Sequence, residues 1–424
     1  MPSDATAKIN DPVPTDPTSI VIELLTKAPA TVSDPYGHYR ALRESAPRYL
    51  LDHPTGAGHV LTTYDECRHM LRNPSLDKSA QRPRLGDDRG VDRPRTLLFL
   101  DGEPHTRLRS LVSRAFTPRR VEALRPRLQG FVDELLDDVQ EEVGAEGEVD
   151  LIGTFAFRLP VMVIGELVGV PREDWEMLRT QTRAASAGLE MFASPEVLKS
   201  SDAALAEMEE YFTELVAQRR EDPRDDLISA LGQIELNGDR LSVPELISVV
   251  VLLFGAGFQT MTDLIGLGTL ALHRHPDQMT RLRNDMSLLG SAVEELLRYD
   301  SPVHVLGRAA FEDSTFSDGS PIKKGEHVIT LIGAANRDPA RYENPETLDI
   351  ARFSGDRTPE VPLSFAWGPH HCLGAQLARA EGQLAFGRML ERFSEIEVNE
   401  DTLKWRTSST FRGLENLDVR LVSA

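Results

Sequence analysis

One long apolar segment, from Ser242 to His273, limits what this chain can fold into. Ser242 is a predicted N-cap, Pro244 lies in the first turn, and Glu245 completes a capping box three residues after the cap. A helix over these residues is roughly 45 Å long at the usual rise per residue, enough to cross a whole domain. Because the segment is apolar on nearly every face, we predict a helix in the protein core.

The middle of this predicted helix carries Gly255, Ala256 and Gly257, and glycine is a poor helix former. We therefore expect a ligand to approach the backbone there. The longest apolar run, Val249–Phe258, is too short to span a membrane. The polar, proline-rich start of the chain lacks the pattern of a signal peptide, so we expect a flexible segment over residues 1–20 and a cytoplasmic protein.

The remainder of the chain shows no repeat and no linker, which predicts one domain over residues 21–424. Helical periodicity dominates from His105 to about Arg220, with boundaries at prolines. The other predicted elements are a hairpin over 46–64 with a turn at 54–56, a long loop over 75–95, strands at 327–331 and 418–422, and a last helix over 373–393. This pattern predicts a mainly α protein with small β-sheets.

Charge and cysteine content restrict the partners. The net charge of −20 argues against nucleic acid and anionic lipid as partners. Two cysteines, Cys67 and Cys372, cannot form a disulfide framework, and they fit a reducing compartment. Residues 104–121 include five arginines and no acid, which indicates either a solvated helix face or a docking surface for an acidic partner.

Cys372 lies in the segment that is richest in chemistry, residues 365–379. Gly368 and Pro369 favour a turn before it, and a helix is predicted after Gly374. Free N–H groups at a helix N-terminus would lower the pKa of the thiol, which favours a metal-binding thiolate. Two other interpretations are a buried bystander, which we expect for Cys67, and a nucleophile served by a neighbouring histidine.

The pattern Phe365-x-x-Gly-x-His370-x-Cys372-x-Gly374 resembles the haem-binding loop of the cytochrome P450 superfamily in its soluble bacterial form. The resemblance runs from about residue 35 to the end of the chain. It implies a triangular single domain in which the long helix lies over haem b, with Cys372 as the axial thiolate ligand of the iron. One departure is Ala366, where the family usually has glycine.

The same resemblance implies which residues hold the cofactor. His105 and Arg109 are spaced i and i+4, on one helix face. Haem brings two carboxylates into the protein interior, and each needs cationic hydrogen-bond donors. By resemblance those donors are His105, Arg109, Arg308 and His370.

A second family signature is structural. Glu295-x-x-Arg298 alone is a common surface pair, but it is followed by Ala-Asn-Arg-Asp-Pro at residues 335–339, at the spacing of the family. Arg352 matches the third member. The resemblance implies that these three residues hold the proximal side together.

Residues 256–260, Ala256-Gly257-Phe258-Gln259-Thr260, resemble the oxygen-binding groove of the family. By resemblance Thr260 donates a hydrogen bond to bound O₂. The family usually has Asp or Glu before this threonine, whereas this chain has Gln259. Since an amide cannot deliver a proton from an ionised pool, we expect altered proton delivery; the alternative is that Gln259 satisfies a helix irregularity.

Electrons must come from outside, because no flavin or nicotinamide motif is present. The resemblance implies NAD(P)H, a ferredoxin reductase and a ferredoxin, and we expect the acidic ferredoxin to dock on Arg107, Arg114, Arg119 and Arg120. We expect a monomer.

Substrate contacts are less specific. The regions implied by resemblance are residues 75–98, residues 175–215, Phe258, Val303, His304, Val305, Leu306, Ser409 and Thr410. Only seven of the 47 basic residues are lysine, a bias shared with family members that tailor secondary metabolites, so we expect a polyketide, macrolide or peptide-like small-molecule substrate. Alternatives are a non-oxidising recruitment module, a peroxide-driven haem enzyme and a cysteine hydrolase.

Overall fold

The computed structural model describes residues 13–26, 29–52, 58–78, 96–190, 193–236, 238–355 and 358–424. The fold is mainly helical, as predicted. Its helices are α1 Pro17–Thr26, α2 Pro29–Ser33, α3 Tyr36–Ser45, α4 Tyr64–Arg72, α5 Gly102–Ser113, α6 Pro118–Val143, α7 Arg158–Val168, α8 Trp175–Ala187, α9 Pro195–Glu221, α10 Leu227–Gln233, α11 Val243–Arg274, α12 Pro276–Asn284, α13 Leu289–Tyr299, α14 Ile332–Ala335 and α15 Ala375–Arg392.

The strands are short. They are β1 Arg48–Leu51, β2 Gly58–Leu61, β3 Leu76–Asp77, β4 Glu146–Asp150, β5 Glu235–Leu236, β6 Asp239–Arg240, β7 Val305–Ala310, β8 Ser314–Thr315, β9 Pro321–Ile322, β10 His327–Leu331, β11 Phe393–Val398, β12 Lys404–Trp405, β13 Leu414–Asn416 and β14 Asp418–Ser423.

The central helix α11 begins as the sequence predicts. The Ser242 side chain accepts a hydrogen bond from the Glu245 N–H, and the Glu245 carboxylate accepts one from the Ser242 N–H, so both halves of the capping box form. The helix packs against α7, α8, α9 and α15. It is long and apolar enough to cross a membrane, but in this fold it is the core helix around which the others lie.

The two largest sheets among the described residues have five and three strands. The larger has the strand order β1-β2-β10-β7-β3, in which β10 runs parallel to β2 and antiparallel to β7. The register of β7 places Arg308 opposite Val328. The smaller sheet, β11-β14-β4, ties the C-terminal strand to residues 146–150, a strand that lies inside the region we predicted to be helical.

The predicted elements agree with the structure except at a few places. Strands β1 and β2 form the predicted hairpin, but its turn at 54–56 and most of the predicted loop, residues 79–95, lie outside the described residues. The boundary that we placed at residue 20 falls within α1, where Ile20 and Val21 are buried. Residues 1–12 are not among those described.

Candidate functional site

The loop that carries Cys372 is shaped by its glycines and proline. Two short turns, Leu363–Phe365 and Gly368–His370, precede Cys372, and α15 begins three residues after it. Gly368 has a φ of 74°, and a Cβ at this position would lie 2.8 Å from the Leu71 carbonyl oxygen, so only glycine allows α4 to approach. The Cys372 N–H donates to the Phe365 carbonyl at 2.9 Å, which closes the loop.

Ala366 takes a backbone conformation that favours glycine. Its φ is 56° and its ψ is −165°. Residues other than glycine rarely adopt this region, and holding one there costs about 1–3 kcal/mol. The methyl group fits, as expected, but the loop stores backbone strain that a glycine would not.

The Cys372 thiol differs from our expectation in its pKa. The side chain is accessible, although protein atoms surround it on most sides, and this partial removal from water raises the pKa of the thiol. The N–H groups of Gly374 and Ala375 and the guanidinium groups of Arg109 and Arg379 oppose that rise without cancelling it. The lowered pKa that we predicted from the helix N-terminus is therefore wrong, because burial outweighs the local dipoles.

The other cysteine is inert, as predicted. Cys67 is fully buried, and its thiol lies 3.5 Å from the Leu61 carbonyl oxygen. Near Cys372, the His370 ring bonds Asp101 at 2.9 Å, so this histidine is held by a carboxylate and not by the thiol.

The four basic residues predicted to bind haem come together, with a fifth. The rings of His105 and His370 lie 4.3 Å apart, and Arg109 Nη2 donates to the His371 carbonyl at 2.7 Å. Arg308, on β7, and Lys78, after β3, face the same region. We call these residues the basic cluster: Lys78, His105, Arg109, Arg308 and His370. Lys78 was missed because it stands in a polar loop without a motif.

The basic cluster holds more basic side chains than carboxylates. Burial lowers the pKa of Arg308 to about 10, although Asp101 and Asp77 oppose that fall. Burial and the neighbouring Arg308 lower the pKa of Lys78 to about 7. Burial, His370 and Arg109 lower the pKa of His105 to about 4. Five basic side chains therefore share two carboxylates, an arrangement whose donors fit the two propionates of haem.

The predicted structural signature forms a closed network, which we call the salt-bridge cluster: Glu295, Arg298 and Arg352. Arg298 donates to both Glu295 oxygens at 2.7 and 2.8 Å, and Arg352 Nε reaches the same carboxylate at 3.0 Å. Arg298 also donates to the carbonyls of residues 336, 345 and 347. This network ties α13 to the segment after α14.

The centre of α11 is open on one side. Ala256 and Gly257 are exposed, whereas most of the helix after them is buried. A Cβ on Gly255 or Gly257 would meet no atom within 4 Å, so there is room beside the backbone. Thr260 Oγ1 donates to the Ala256 carbonyl at 3.3 Å, and Gln259 Nε2 donates to Asp263 at 3.1 Å.

Several predicted substrate contacts lie elsewhere. Phe258 is fully buried against Phe157, with ring centroids 4.4 Å apart, so its assignment to the substrate pocket is wrong. Val305 is also buried in the core. His304 is buried too, and its ring bonds Tyr39 at 2.9 Å, which favours a packing role.

The remaining predicted contacts lie at an edge of the fold where two distant segments meet. Val303 and Leu306 are half-buried, and Val303 forms a bridge with Phe411. Ser409 and Thr410 donate their N–H groups to Glu190, three residues after the end of α8. Two regions that we predicted to contact substrate, residues 175–215 and the turn before β13, therefore contact each other in the structure.

The predicted docking arginines separate into two kinds. Arg107 is bound to Glu245 at 2.5 Å and to Asp239 at 2.9 Å, so it neutralises the start of α11 and is not free for a partner. Including it was therefore wrong. Arg114, Arg119 and Arg120 are exposed between α5 and the first turn of α6.

Known proteins resemble this chain over most of its length. The family model described as cytochrome P450 matches residues 14–414. Cytochrome P450 107B1 of Saccharopolyspora erythraea is 40% identical over 421 residues, 95% of this chain and 99% of that protein.

Two solved structures show the same fold. The polyketide synthase cytochrome P450 PksS of Bacillus subtilis superposes with a TM-score of 0.82 at 37% identity, covering 93% of this chain and 98% of that one. P450BioI, in complex with acyl carrier protein ligated to hexadec-9Z-enoic acid, superposes with a TM-score of 0.84 at 34% identity, covering 92% and 98%.

Proposed function

This chain belongs to the cytochrome P450 family of haem-thiolate monooxygenases, and on that premise we propose that it oxidises a small organic substrate in the biosynthesis of a secondary metabolite. The observation that carries the proposal is the pairing of an accessible Cys372 thiol with a buried cluster of basic side chains. The thiolate is a ligand for iron, and the cluster suits a dianion.

Haem bound through Cys372 supplies the activation of O₂ and the transfer of one oxygen atom to the substrate. The protein contributes position and charge. We assign the haem propionates to the basic cluster, because its five basic side chains offer hydrogen-bond donors and share two carboxylates. Phe365 and Gly374 complete the loop around the ligand.

The open side of α11 is the proposed oxygen groove. Ala256 and Gly257 leave room for a diatomic molecule and water beside the backbone. The Thr260 hydroxyl, which donates to Ala256 at 3.3 Å, can turn toward the groove and pass a proton from its Oγ1. Gln259 cannot itself act as the acid, so proton supply must use another group or water.

The substrate class is inferred from relatives. PksS is named for polyketide biosynthesis, and P450BioI was solved with an acyl chain on its carrier protein. We propose a polyketide, macrolide or peptide-like substrate, taken either free or tethered to a carrier. We further place the enzyme in the cytoplasm as a monomer.

Electron supply is the second part of the proposal. We propose that NAD(P)H feeds electrons through a ferredoxin reductase to a ferredoxin, which docks on the exposed Arg114, Arg119 and Arg120. At low salt Arg114→Glu should raise the ferredoxin concentration needed for half-maximal turnover. Arg224→Glu, on an exposed loop beyond α9, is the control and should leave it unchanged.

Turnover with a reconstituted ferredoxin system tests the function. The purified protein, loaded with haem, is incubated with candidate substrates, NADPH, ferredoxin and its reductase. We expect substrate-dependent NADPH consumption and a product heavier by one oxygen atom. Substrate binding without consumption would instead support a recruitment module, and activity with peroxide alone would support the peroxide-driven alternative.

A further inference from the structure

A buried carboxylate lies one helical turn beyond Gln259. Asp263 is on α11 and is only 1% exposed. Its Oδ1 accepts a hydrogen bond from Gln259 Nε2 at 3.1 Å. Gln259 is the neighbour of Thr260 in the proposed groove, so the carboxylate contacts the residue that departs from the family pattern.

A turn between β12 and β13 holds this carboxylate in place. Arg406 binds it through two bonds, Nη2 to Oδ1 at 2.7 Å and Nη1 to Oδ2 at 3.0 Å. At Gly413, in the same turn, a Cβ would lie 1.9 Å from Asp263 Oδ1. Only glycine allows the turn to come this close. The Arg406 N–H in turn donates to the Gly413 carbonyl at 3.0 Å.

The hydrogen bond fixes which end of the Gln259 amide faces away from Asp263. An ionised carboxylate only accepts hydrogen bonds, so the NH₂ group must point toward it. The amide oxygen then remains as an acceptor on the other side. If Asp263 takes up a proton, it can donate to that oxygen instead, and the amide can rotate.

The charge of Asp263 is poised to change near neutral pH. Burial raises the pKa of Asp263 to about 6, although the guanidinium of Arg406 and the amide of Gln259 oppose the rise. The other charged group that acts on it is Asp300, at the end of α13, which favours the protonated form. Arg406 is itself influenced by Glu190 and Glu415.

We propose that Asp263 is a positioning residue that, with Arg406, holds the Gln259 amide in one orientation and replaces the carboxylate expected at position 259. The proposal rests on the proposed function, since it makes the free oxygen of the Gln259 amide an acceptor for the water or group that supplies protons to the oxygen groove. The Asp263–Gln259 bond then acts as one unit, and removing either partner should have the same effect.

Three variants and one control test this assignment. Asp263→Asn removes the charge, Gln259→Leu removes the amide but leaves the pair with Arg406 intact, and the third variant combines both. Asp226→Asn is the control, because Asp226 forms a similar buried pair with Arg219 that includes neither Asp263 nor Gln259.

The first readout is the yield of product per NADPH consumed. Losing a hydrogen bond to a charged group should lower this yield by about tenfold in each single variant. The double variant should fall no further, since the two residues act as a unit. Independent losses that multiply in the double variant would overturn the proposal.

The second readout needs no turnover. The C–O stretching frequency of the ferrous carbon monoxide complex reports the electric field in the groove. It should shift with a midpoint near pH 6 in the native protein and in Asp226→Asn, and the shift should be absent in Asp263→Asn and Gln259→Leu.

A pH shift that persists in Gln259→Leu would overturn the proposal, even if Asp263→Asn does not fold. The proposed function fails separately, because it requires a sulfur-ligated carbon monoxide complex in the native protein whatever its pH dependence.

Discussion

Two buried clusters of charge in this molecule are built in opposite ways. In the salt-bridge cluster, Arg298 makes five hydrogen bonds, two to Glu295 and three to backbone carbonyls. In the basic cluster, buried Arg308 donates to the carbonyl of its neighbour Gly307, and its pKa is lowered to about 10 by burial. The guanidinium of Arg298 is satisfied by a carboxylate and by backbone carbonyls, whereas the basic cluster gathers five basic side chains around two carboxylates.

This difference distinguishes a cluster that stabilises the fold from a cluster that binds a ligand. A buried charge without a partner lowers the stability of the fold. Such a charge is therefore expected only where binding of a ligand offsets that cost. The salt-bridge cluster needs no ligand, and we assign it to holding α13 and the following segments together. The basic cluster gathers more hydrogen-bond donors than its two carboxylates need, and we assign it to binding an anion.

The largest loss of stability is expected when the salt-bridge cluster loses its carboxylate. Glu295→Gln leaves two buried guanidinium groups without a carboxylate and should lower the free energy of unfolding by about 3–5 kcal/mol. Urea unfolding followed by circular dichroism measures this change. The matched control is Asp318→Asn, in an exposed pair with Arg48, which should leave the free energy of unfolding close to the native value. Equal losses would remove the distinction between buried and exposed pairs.

Glu381, on α15, is also a buried carboxylate, but it lies outside the salt-bridge cluster. It is 4% exposed, and burial raises its pKa to about 8. Its Oε2 has no hydrogen-bond partner among the described residues. The protonated form is therefore the one the fold favours, so the contribution of Glu381 to stability is lost as pH rises toward 8.

Glu381→Gln removes this titration. From pH 5 to pH 8 the free energy of unfolding of the native protein should fall relative to that of the variant by on the order of 3 kcal/mol. Unfolding in urea at several pH values measures the difference. A constant difference between the two proteins would show that Glu381 ionises freely in the fold.

Arg308→Met tests whether the basic cluster binds haem. It should speed the loss of haem to apomyoglobin by about tenfold, since one charge-assisted hydrogen bond is removed. The haem-free protein should change its free energy of unfolding by less than about 1 kcal/mol, because an apolar side chain replaces a charge that was not fully compensated. If Arg308→Met leaves the rate of haem loss unchanged but strongly lowers the free energy of unfolding, Arg308 stabilises the fold in the way that the salt-bridge cluster does.

The sequence predicted the parts of the molecule that local chemistry determines. The cap at Ser242 placed the start of α11 correctly, and its end came one residue later than His273. The glycines and proline around Cys372 predicted the loop. The four propionate-binding candidates and the members of the salt-bridge cluster came from family resemblance, and both groups are assembled in the structure.

Other features depend on distant segments, and so the sequence could not predict them. The polar strand Glu146–Asp150 exists because β14 pairs with it. Phe258 faces the core because α11 is apolar on nearly all sides, and such a helix gives no periodic signal for direction. Arg107 has its acids 132 and 138 residues away. The environment of Asp263 could not be predicted either, because Arg406 and Gly413 are distant in sequence and contact it only in the folded protein.

The smallest effect concerns the strain in the cysteine loop. Ala366→Gly removes the cost of a φ of 56° and should raise the free energy of unfolding by about 1 kcal/mol, because the gain in the folded state exceeds the added freedom of the unfolded chain. Thermal unfolding of the haem-free protein measures it. A loss of stability would mean that the methyl group contributes packing that outweighs the strain.

The proposed function depends above all on Cys372 binding the haem iron as a thiolate. Reducing the purified, haem-loaded protein and adding carbon monoxide tests it directly. We expect the red-shifted Soret absorption that a sulfur-ligated ferrous haem gives, and its absence in Cys372→His. A folded, haem-loaded native protein whose carbon monoxide complex lacks that red shift would show that Cys372 does not bind the iron.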